Sequence, residues 1–456
     1  MNLQGKKVLV IGLARSGMAS VRLLLQEGAK IVVNERRELS QLDPEELAFL
    51  KAHPEVRFVG GGHPPQLVDR ETVLVIKNPG VPPDLPLLQN ALAAGIPVIT
   101  EVEHAFWHLQ GKLVAITGTN GKTTTTTLTG EIFKAAGKKT FVAGNIGLPL
   151  SAVVGKDGPQ DLIVAELSSF QLEGTENFRP QLAAILNVTP DHLDHHGSME
   201  VYREAKAKIF ANQRREDVLV LNADDPETYA LRKRPLSQVY YFSRKNKVEQ
   251  GAYLQNGMIF LRDQEQEVAV CPAEELAMLG AHNVENALAA ALLAWLGGVD
   301  QQVIAKVLKT FPGVAHRLEF VRTFNGVDYI NDSKGTNVDA TLKALEAFSR
   351  PIILIAGGYE KGADFIPLAQ AMPGRVKHVV IIGQVAKRLA ATLESSGFSS
   401  FSLASSLEEA VGLAQKQAQK GDVVLLSPAC ASWDMFQDFE ERGELFKKAV
   451  WALGGN

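Results

Sequence analysis

Short apolar runs recur along the chain, and each is followed by a polar or glycine-containing turn and then by a helical pattern. In the first part of the chain these runs lie at 6–12, 30–35, 71–80 and 96–103. Strands that alternate with helices predict a parallel, doubly wound α/β sheet. The first part is therefore expected to form a Rossmann-like domain.

The same alternation returns twice further along the chain. The later strand-like runs lie at 112–117, 138–145, 161–167, 182–188, 217–222, 327–333, 351–358, 377–383 and 422–428. Between them, 239–270 changes to short strands with a predicted hairpin turn at Asn256-Gly257, and 280–298 predicts a helix. We place three domains at 1–104, 105–311 and 312–456.

Length and composition agree with a globular protein of this kind. A chain of 456 residues suits about three domains. A net charge of −4 gives no reason to expect nucleic acid as a partner, and no apolar run approaches the ~20 residues of a membrane span. The start, MNLQGKKVLVIG, predicts a strand and not a signal peptide. Only Cys271 and Cys430 are present, so no disulfide framework is implied and a cytoplasmic location is expected.

The stretch GTNGKT (118–123) stands between a predicted strand and a predicted helix. It is a shortened phosphate-binding loop, because the first glycine of the full pattern would fall on Ile116. Backbone N–H groups and the helix start can hold a phosphate there. Lys122 would reach the terminal phosphates, and the hydroxyl of Thr123 would bind Mg²⁺. The alternative is a tight turn with a solvated lysine.

Two other strand ends of the same predicted sheet carry groups that suit this loop. Glu166 ends the run DLIVAE, and a phosphate-bound Mg²⁺ is usually held by one or two carboxylates. Alternatively, Glu166 is an ordinary acid at a strand end. His192 lies in NVTPDHLDHHG after the next strand, and we expect it to be functional, whereas His195 and His196 are expected to face solvent.

Several motifs occur together and in order: GTNGKTT, AELSSFQLE, NVTPDHLDHH, AHNVENALAA, HRLE and NDSKGTN. With them the chain resembles the Mur ligase family of ATP-dependent enzymes over essentially its whole length. It is most similar to the member that adds D-glutamate to UDP-N-acetylmuramoyl-L-alanine (UDP-MurNAc-L-Ala). The features that indicate this are the N-terminal domain, NDSKGTN and LLSPACASWDMFQDFEERG (425–443).

The resemblance implies an α/β fold of three domains: an N-terminal Rossmann-like domain that binds UDP, a central P-loop-type ATPase domain, and a C-terminal dinucleotide-fold-like domain that binds the amino acid. It implies ATP and two Mg²⁺ ions as cofactors, no membrane insertion, and a monomer. The catalytic residues it implies are Lys122, Glu166, His192 and Lys206. Lys206 would be carbamylated and support the second metal ion together with His192, or it is a solvated helix lysine like Lys208.

The resemblance also assigns binding residues. Those for ATP are Gly118, Thr119, Asn120, Gly121, Lys122, Thr123, Thr124, Asn286, Arg317 and Asp332, with Thr123, Glu166, His192 and Lys206 at the metal ions. Those for the UDP-sugar substrate are Arg15, Ser16, Asn34, Glu35, Arg36, Asn78, Asn145, Ser168, Gln171 and His192. Those for D-glutamate are Lys334, Thr336, Lys361, Ser432 and Phe439. Arg317 could instead form a surface ion pair with Glu319, and Lys361 could be an exposed loop lysine.

Other functions fit parts of the sequence. One is a different amino-acid ligase of the same superfamily, either the L-alanine-adding enzyme or folylpolyglutamate synthase. Another is an NAD-binding regulatory NTPase with its cofactor at GLARSG (12–17). Ala14 replaces the middle glycine of the dinucleotide fingerprint there, which argues against the NAD-binding alternative.

Overall fold

The computed structural model describes residues 1–278, 280–360 and 362–454. Its first sheet has five parallel strands in the order β3-β2-β1-β4-β5. Its elements are β1 (Lys7–Ile11), α1 (Arg15–Gln26), β2 (Lys30–Asn34), α2 (Pro44–Ala52), β3 (Arg57–Val59), β4 (Thr72–Lys77), α3 (Pro86–Ala93), β5 (Val98–Thr100) and α4 (Glu101–Phe106).

The predicted strand at 96–103 is wrong in its second half. Only Val98–Thr100 is a strand, and a helix begins at Glu101. Glu101 and Glu103 stand in the first turn of that helix, where acidic side chains are favoured by the helix dipole. The change from strand to helix at this point starts the connection to the second sheet.

The second sheet has nine strands in the order β14-β13-β12-β11-β10-β9-β6-β8-β7. Its elements are β6 (Lys112–Thr117), α5 (Lys122–Ala135), β7 (Thr140–Gly144), β8 (Leu162–Glu166), α6 (Ser169–Glu173), β9 (Leu182–Ile185), α7 (Leu193–His196), α8 (Met199–Ala207), β10 (Val218–Asn222), α9 (Pro226–Ala230), β11 (Gln238–Ser243), β12 (Gly251–Gln255), β13 (Met258–Arg262), β14 (Glu267–Pro272), α10 (Ala281–Leu296) and α11 (Gln301–Thr310).

The predicted hairpin is confirmed. β12 and β13 pair antiparallel, and the turn residues Asn256 and Gly257 have φ of 50° and 76°. Positive φ at both positions is the geometry for which Asn-Gly is favoured in hairpins.

The third sheet is parallel except for its edge strand β15, in the order β15-β16-β20-β17-β18-β19. Its elements are β15 (Glu319–Phe324), β16 (Val327–Asn331), α12 (Val338–Glu346), β17 (Ile352–Gly357), α13 (Ile366–Ala371), β18 (Val376–Ile382), α14 (Ala386–Ser395), β19 (Phe401–Leu403), α15 (Leu407–Gln417), β20 (Val423–Leu426) and α16 (Phe439–Ala452). Strands β17 and β20 are buried throughout, as expected of strands covered on both faces.

The chain divides into two compact units. Unit 1 comprises 1–274 and 286–307, and unit 2 comprises 275–285 and 308–456. Unit 1 therefore holds the first two sheets and unit 2 holds the third. The predicted α/β class with three sheet-based domains is confirmed, while the exact boundaries at 104/105 and 311/312 stay predictions. No helix in the described part of the chain is long and apolar enough to cross a membrane.

Candidate active site

In unit 1, three neighbouring parallel strands end at one edge of the second sheet. Ile116 of β6 pairs with Glu166 of β8, and Thr117 of β6 pairs with Ile185 of β9. The loop 118–121 leaves β6 between these neighbours. Carboxyl ends of parallel strands are the usual ligand-binding edge of an α/β sheet. The predicted loop and Glu166 are thus brought together by strand register.

The loop conformation requires glycine at position 121. Gly121 has a φ of 83° and is the residue that precedes α5, so the chain enters the helix in the left-handed region. A Cβ atom there would lie 2.2 Å from Oδ1 of Asn286, which is itself buried. The N–H groups of the first turn of α5 follow directly, and a helix start of this kind can bind phosphate.

Asn187, which was not predicted, holds the loop. Its carbonyl oxygen accepts a hydrogen bond of 2.9 Å from the N–H of Thr119, and its Oδ1 accepts one of 2.8 Å from the N–H of Asn120. These two N–H groups therefore serve the loop itself. The prediction that Thr119 and Asn120 cradle phosphate stays a prediction, and their backbone N–H groups bond Asn187 in this structure. The one signal for Asn187 is its position as a polar residue near the end of the apolar run 182–188.

Two lysines converge on the loop. Nζ of Lys122 donates to the carbonyl oxygens of Gly118 at 3.0 Å and Thr119 at 2.8 Å. Nζ of Lys206 donates to the carbonyl oxygen of Gly118 at 2.8 Å and lies 4.4 Å from the centre of the Tyr202 ring. Lys206 is 1% exposed, so the alternative of a solvated helix lysine is wrong.

The position of Lys206 changes its acid–base behaviour. Burial, together with the charge of Lys122, lowers the pKa of Lys206 well below its ordinary value of 10.5, and the charge of Asp191 opposes this shift. The amine is consequently far easier to deprotonate than that of a surface lysine. A neutral amine has a nucleophilic lone pair.

Glu166 has one satisfied and one unsatisfied oxygen. Its Oε1 accepts a hydrogen bond of 2.8 Å from Nδ2 of Asn145, while its Oε2 is buried and has no hydrogen-bond partner among the described residues. Leaving a carboxylate oxygen buried and unpaired is costly, so this atom suits a cation. Asn145, predicted to line the UDP-sugar substrate, is seen orienting Glu166.

The threonine run is buried from Thr123 to Thr126. The hydroxyl of Thr125 donates to Oδ1 of Asn286 at 3.2 Å. The hydroxyls of Thr124 and Thr126 are both buried, and neither has a hydrogen-bond partner among the described residues. Thr124, at the start of α5, therefore retains a donor for a phosphate, whereas Thr125 positions Asn286.

The histidine cluster contains one exposed and two partly or fully buried rings. His192 is exposed and has a φ of 53°, and its ring packs edge-on against Phe170. Nε2 of His195 and Nδ1 of His196 lie 3.0 and 3.1 Å from Oε1 of Glu173. The expectation that His195 and His196 face solvent is wrong for His196, which is buried against Ser169 and Glu173.

Ser168 and Gln171 cap the start of α6. The side chain of Ser168 accepts from the N–H of Gln171, and Oε1 of Gln171 accepts from the N–H of Ser168 at 3.0 Å. This reciprocal capping box fixes both side chains. Their predicted contact with the UDP-sugar substrate stays a prediction.

The glycine turn of the first sheet is tightly packed. A Cβ atom on Gly12 would lie 2.6 Å from Nδ2 of Asn78, and one on Gly17 would lie 2.1 Å from the carbonyl oxygen of Gly12. Glycine therefore lets α1 start directly above the strand ends, with Asn78 beside the turn. Arg15 and Ser16 form the first residues of α1, and the guanidinium of Arg15 donates to the carbonyl oxygen of Gly147.

The residue at the tip of β2 is held by hydrogen bonds to neighbouring loops. Asn34 is fully buried, and its amide bonds the carbonyl oxygens of Val59 and Gly62 and faces Nδ1 of His63 at 2.7 Å. Asn34 thus ties these loops together, and its predicted contact with the UDP-sugar substrate stays a prediction. Arg36 is exposed.

Glu35 is part of the same tip. Its Oε2 accepts a hydrogen bond of 3.0 Å from the N–H of Leu13 in the glycine turn. Burial raises the pKa of Glu35, but the hydrogen bonds from Arg37 and Leu13 together lower it by more, so the net shift of the pKa is downward. The carboxylate is therefore committed to Arg37 and the turn.

In unit 2, the predicted nucleotide residues Arg317 and Asp332 lie close enough to interact. Asp332 is buried, and its oxygens accept from the N–H of Leu318 at 3.2 Å and the hydroxyl of Ser427 at 2.8 Å. Nε of Arg317 is buried without a hydrogen-bond partner among the described residues. The carboxylate of Glu319 is instead engaged by Lys447 and Asn331.

The residues predicted to bind D-glutamate are also in unit 2. Nζ of Lys334 lies 5.0 Å from the centre of the Phe439 ring, so these two are brought together. The N–H of Thr336 donates to the carbonyl oxygen of Lys334. Ser432 is buried, and its carbonyl oxygen accepts from the N–H groups of Met435 and Phe436. Lys361 lies outside the described residues.

Arg442, which was not predicted, connects the two segments that carry these residues. It is fully buried and donates to the hydroxyl and carbonyl oxygens of Ser333 at 2.9 and 2.7 Å, and to the carbonyl oxygen of Cys430 at 3.1 Å. Burial lowers its pKa to about 10. Nothing in its sequence context, EERGE, distinguishes Arg442 from a surface residue.

Asp332 gives unit 2 a predicted pH dependence. Burial raises the pKa of Asp332 from 3.8 to about 6, against the opposing effects of Arg317 and Ser427. Because the folded pKa is the higher one, this contribution to stability is complete below pH 3.8 and is lost as the pH rises through about 6, by about 3 kcal/mol. Asp332→Asn should therefore unfold at an equal or higher temperature than the parent at pH 8 and show a flatter profile between pH 4 and 7.

Asp328 lies on β16, the strand that ends just before Asp332, and provides the control. Thr323 and Arg350 lower the pKa of Asp328 below its ordinary value despite burial, so Asp328→Asn should lose stability at neutral pH. Thermal unfolding across this pH range measures both variants. Parallel profiles for Asp332→Asn and the parent would contradict the assignment.

A glycine loop between a strand and a helix of the second sheet, beside a carboxylate oxygen that has no hydrogen-bond partner among the described residues, is typical of nucleotide-dependent enzymes. Comparison with known families identifies which class this is. The Mur ligase MurD-like N-terminal domain matches residues 6–100, the Mur ligase middle domain matches 116–294, and the Mur ligase glutamate ligase domain matches 316–430. The chain belongs to the Mur ligase family.

Curated relatives match along the whole chain. The chain is 49% identical over 454 residues to the UDP-N-acetylmuramoylalanine–D-glutamate ligase of Alkaliphilus metalliredigens, covering 99% of each chain. It is 49% identical over 449 residues to the enzyme of the same name from Pelotomaculum thermopropionicum, covering 98% of each.

Solved structures share the fold at lower identity. The UDP-N-acetylmuramate-alanine ligase of Thermotoga maritima superposes with a TM-score of 0.59 at 22% identity, covering 98% of this chain and 99% of that one. A pseudomurein peptide ligase type C from Methanothermus fervidus gives 0.61 at 20% identity, with 98% and 100% covered.

Proposed function

We propose that the protein joins D-glutamate to UDP-MurNAc-L-Ala in an ATP-dependent, ADP-forming reaction of peptidoglycan precursor synthesis. The observation that carries the proposal is the loop 118–124 with the orphaned oxygen of Glu166 beside it, on a chain that matches ligases of this name from end to end. The full-length match favours this reaction over that of the alanine-adding enzyme or of folylpolyglutamate synthase.

The carboxylate of UDP-MurNAc-L-Ala is a poor acyl donor, because its leaving group would be oxide. A carboxylate oxygen of the muramoyl-alanine substrate attacks the γ-phosphorus of ATP, and ADP leaves. The amine of D-glutamate then attacks the carbonyl carbon of the acyl phosphate, loses a proton and expels phosphate through a tetrahedral intermediate. Because the bonds change within the substrates, the enzyme contributes chiefly position and charge neutralisation.

The phosphates of ATP are assigned to the start of α5. The N–H groups from Gly121 to Thr124 and the hydroxyl of Thr124 are the donors, since those of Thr119 and Asn120 serve Asn187. Lys122 exchanges its contacts with the loop carbonyls for the terminal phosphates. Asn286, beside Gly121 and Thr125, is assigned to adenine.

The residues present fit a Mg²⁺ ion. The unpartnered Oε2 of Glu166 and the hydroxyl of Thr123 are the hard oxygen ligands that Mg²⁺ prefers. A bound Mg²⁺ would neutralise phosphate charge during transfer. His192 and a carbamate on Lys206 are assigned to a second ion next to the reacting carboxylate.

Lys206 is the residue whose modification we expect. Its buried, readily deprotonated amine can add to the carbon of CO₂ and release a proton to form a carbamate, which places an anion next to Lys122. Intact-mass analysis at high bicarbonate should show one added CO₂, absent from Lys206→Arg, together with a loss of activity of about 100-fold or more in that variant. Full activity of Lys206→Arg, or added CO₂ that persists in it, would contradict this role; Lys208→Arg on the same segment is the control.

The remaining assignments divide between the first and the third sheets. Arg15, Ser16 and Asn78 at the glycine turn are assigned to the UDP moiety, with the first-turn N–H groups of α1 facing its pyrophosphate. Lys334, Thr336, Ser432 and Phe439 are assigned to D-glutamate, with Arg317 and Asp332 assigned to ATP. The cation Lys334 suits a substrate with two carboxylates. We expect a cytoplasmic location, since ATP is the energy source, and a monomer, as the family resemblance implies.

One experiment tests the proposed reaction. Purified protein receives ATP, Mg²⁺ and UDP-MurNAc-L-Ala with D-glutamate, L-glutamate or L-alanine in separate reactions, and released phosphate is measured. Release that requires both the UDP-sugar and D-glutamate is expected. Equal release without either substrate, or with L-alanine in place of D-glutamate, would refute the proposal.

A further inference from the structure

Glu27, His104 and His108 form a cluster in unit 1 that the proposed reaction does not use. Glu27 is the residue that follows α1, His104 lies in α4, and His108 lies four residues further on. Nε2 of His104 is 2.7 Å from Oε2 of Glu27, and Nε2 of His108 is 3.0 Å from Oε1 of the same carboxylate. One carboxylate therefore faces two imidazoles.

The backbone sets the two histidines on one side. The N–H groups of His108 and Leu109 both bond the carbonyl oxygen of Ala105, so the helical turn continues past the end of α4. Residues four apart on such a turn share a face, and the ring centres of His104 and His108 are 5.5 Å apart. The side chain of His104 is 0% exposed and that of His108 is 29% exposed, so the cluster has a closed back and an open front.

Hydrogen bonding does not account for the cluster. His104 bonds Glu27 through Nε2, which leaves its Nδ1 buried with no hydrogen-bond partner among the described residues. Nε2 of His108 is also buried and makes no hydrogen bond there, although a carboxylate oxygen is only 3.0 Å away. Buried polar nitrogens normally find partners, so the unbonded Nε2 of His108 beside the carboxylate suits a further bound species.

We propose that Glu27, His104 and His108 bind a Zn²⁺ ion, with water as the fourth ligand. Two imidazoles and one carboxylate with an open position are a known zinc donor set. Tetrahedral ligands at normal zinc distances are about 3.3 Å apart. One ligand atom from each of the three residues lies within 4.8 Å of the others, so small side-chain movements would bring them to this spacing. The two imidazole ligands also favour Zn²⁺ over Mg²⁺ at this site, because Mg²⁺ prefers oxygen ligands.

The position of the site would let a bound ion join two elements of unit 1. α1 connects strands β1 and β2 of the first sheet, and α4 lies between β5 of that sheet and β6 of the second sheet. A metal ion held by both would fasten the end of α1 to this connection. Because it binds the folded chain, Zn²⁺ should raise the unfolding temperature of the protein independently of ATP and of the UDP-sugar.

The experiment uses the full-length, zinc-free protein in a buffer with millimolar Mg²⁺. Zn²⁺ is titrated into it, and binding is measured by calorimetry. The parent should show a saturable site that His108→Asn weakens by about 100-fold or more and Glu27→Gln by about 10-fold or more. His53→Asn is the matched control, since His53 is a partly exposed histidine 3.5 Å from Glu55, and it should bind as the parent does. The zinc-dependent rise in unfolding temperature should disappear with His108→Asn and remain with His53→Asn.

A second histidine cluster is the alternative zinc site that the experiment must distinguish. Glu173, His195 and His196 also lie within ligating distance of one another. Zinc binding that is lost in His195→Asn but retained in His108→Asn would place the ion there and overturn the proposal. Absence of saturable zinc binding to the parent would overturn it as well. His108→Asn should unfold at the parent's temperature without metal, because His108 makes no hydrogen bond through Nε2.

Discussion

Lys122→Ala should reduce phosphate release at least about 1000-fold while leaving the fold intact. Lys122 begins α5, and its Nζ is held over the loop by the carbonyl oxygens of Gly118 and Thr119. Removing it takes away the cation assigned to the terminal phosphates of ATP. Alanine is a good helix former, so α5 should still begin at this position.

The measurement is substrate-dependent phosphate release, with circular dichroism and thermal unfolding as checks of the fold. Lys134→Ala is the matched control, because Lys134 lies on the same helix, is exposed and pairs with Glu131 at 2.8 Å. A surface ion pair of this kind contributes little, so Lys134→Ala should keep parent activity. Near-normal turnover by Lys122→Ala would show that the ATP site lies elsewhere.

Glu166→Gln should lower turnover by about 100- to 1000-fold and leave stability equal or higher. Glutamine keeps an oxygen for the amide of Asn145, but it replaces the unpartnered Oε2 by an uncharged NH₂ group. The metal assigned to this oxygen loses a ligand, whereas the fold no longer buries an unpaired charge. Opposite effects on activity and stability are typical of a functional group and not of a packing residue.

Asp161→Asn is the control for this variant. Asp161 precedes the other end of the same strand and pairs with the exposed Lys139, so its replacement should leave turnover unchanged. The activity of Glu166→Gln should also remain low when Mg²⁺ is raised. Parent-like activity at any Mg²⁺ concentration would exclude Glu166 as a metal ligand.

Local sequence patterns predicted the strands, the shortened phosphate loop and the Asn256-Gly257 hairpin well. Each of these depends on neighbouring residues: apolar runs form buried strands, and Gly121 must adopt a positive φ. The adjacency of Glu166 to the loop also followed from its place at a strand end. The run 96–103 was misjudged because its apolar start hides a helix that begins at Glu101.

What the sequence could not reveal depends on contacts between distant segments. Asn187 holds the loop at Thr119 and Asn120, and Arg442 joins Ser333 to Cys430; neither contact leaves a local pattern. The burial of Lys206 against Gly118 likewise requires the fold to be known. These contacts turn a set of motifs into a site with defined acid–base properties.

Phosphoryl transfer onto the substrate carboxylate, followed by amide formation, is tested most directly with an isotope. UDP-MurNAc-L-Ala labelled with oxygen-18 in its alanine carboxylate is incubated with the protein, ATP, Mg²⁺ and D-glutamate, and the released phosphate is analysed by mass spectrometry. Attack of the carboxylate on the γ-phosphorus predicts that each phosphate formed with the amide carries one labelled oxygen. Unlabelled phosphate accompanying amide formation would contradict an acyl phosphate.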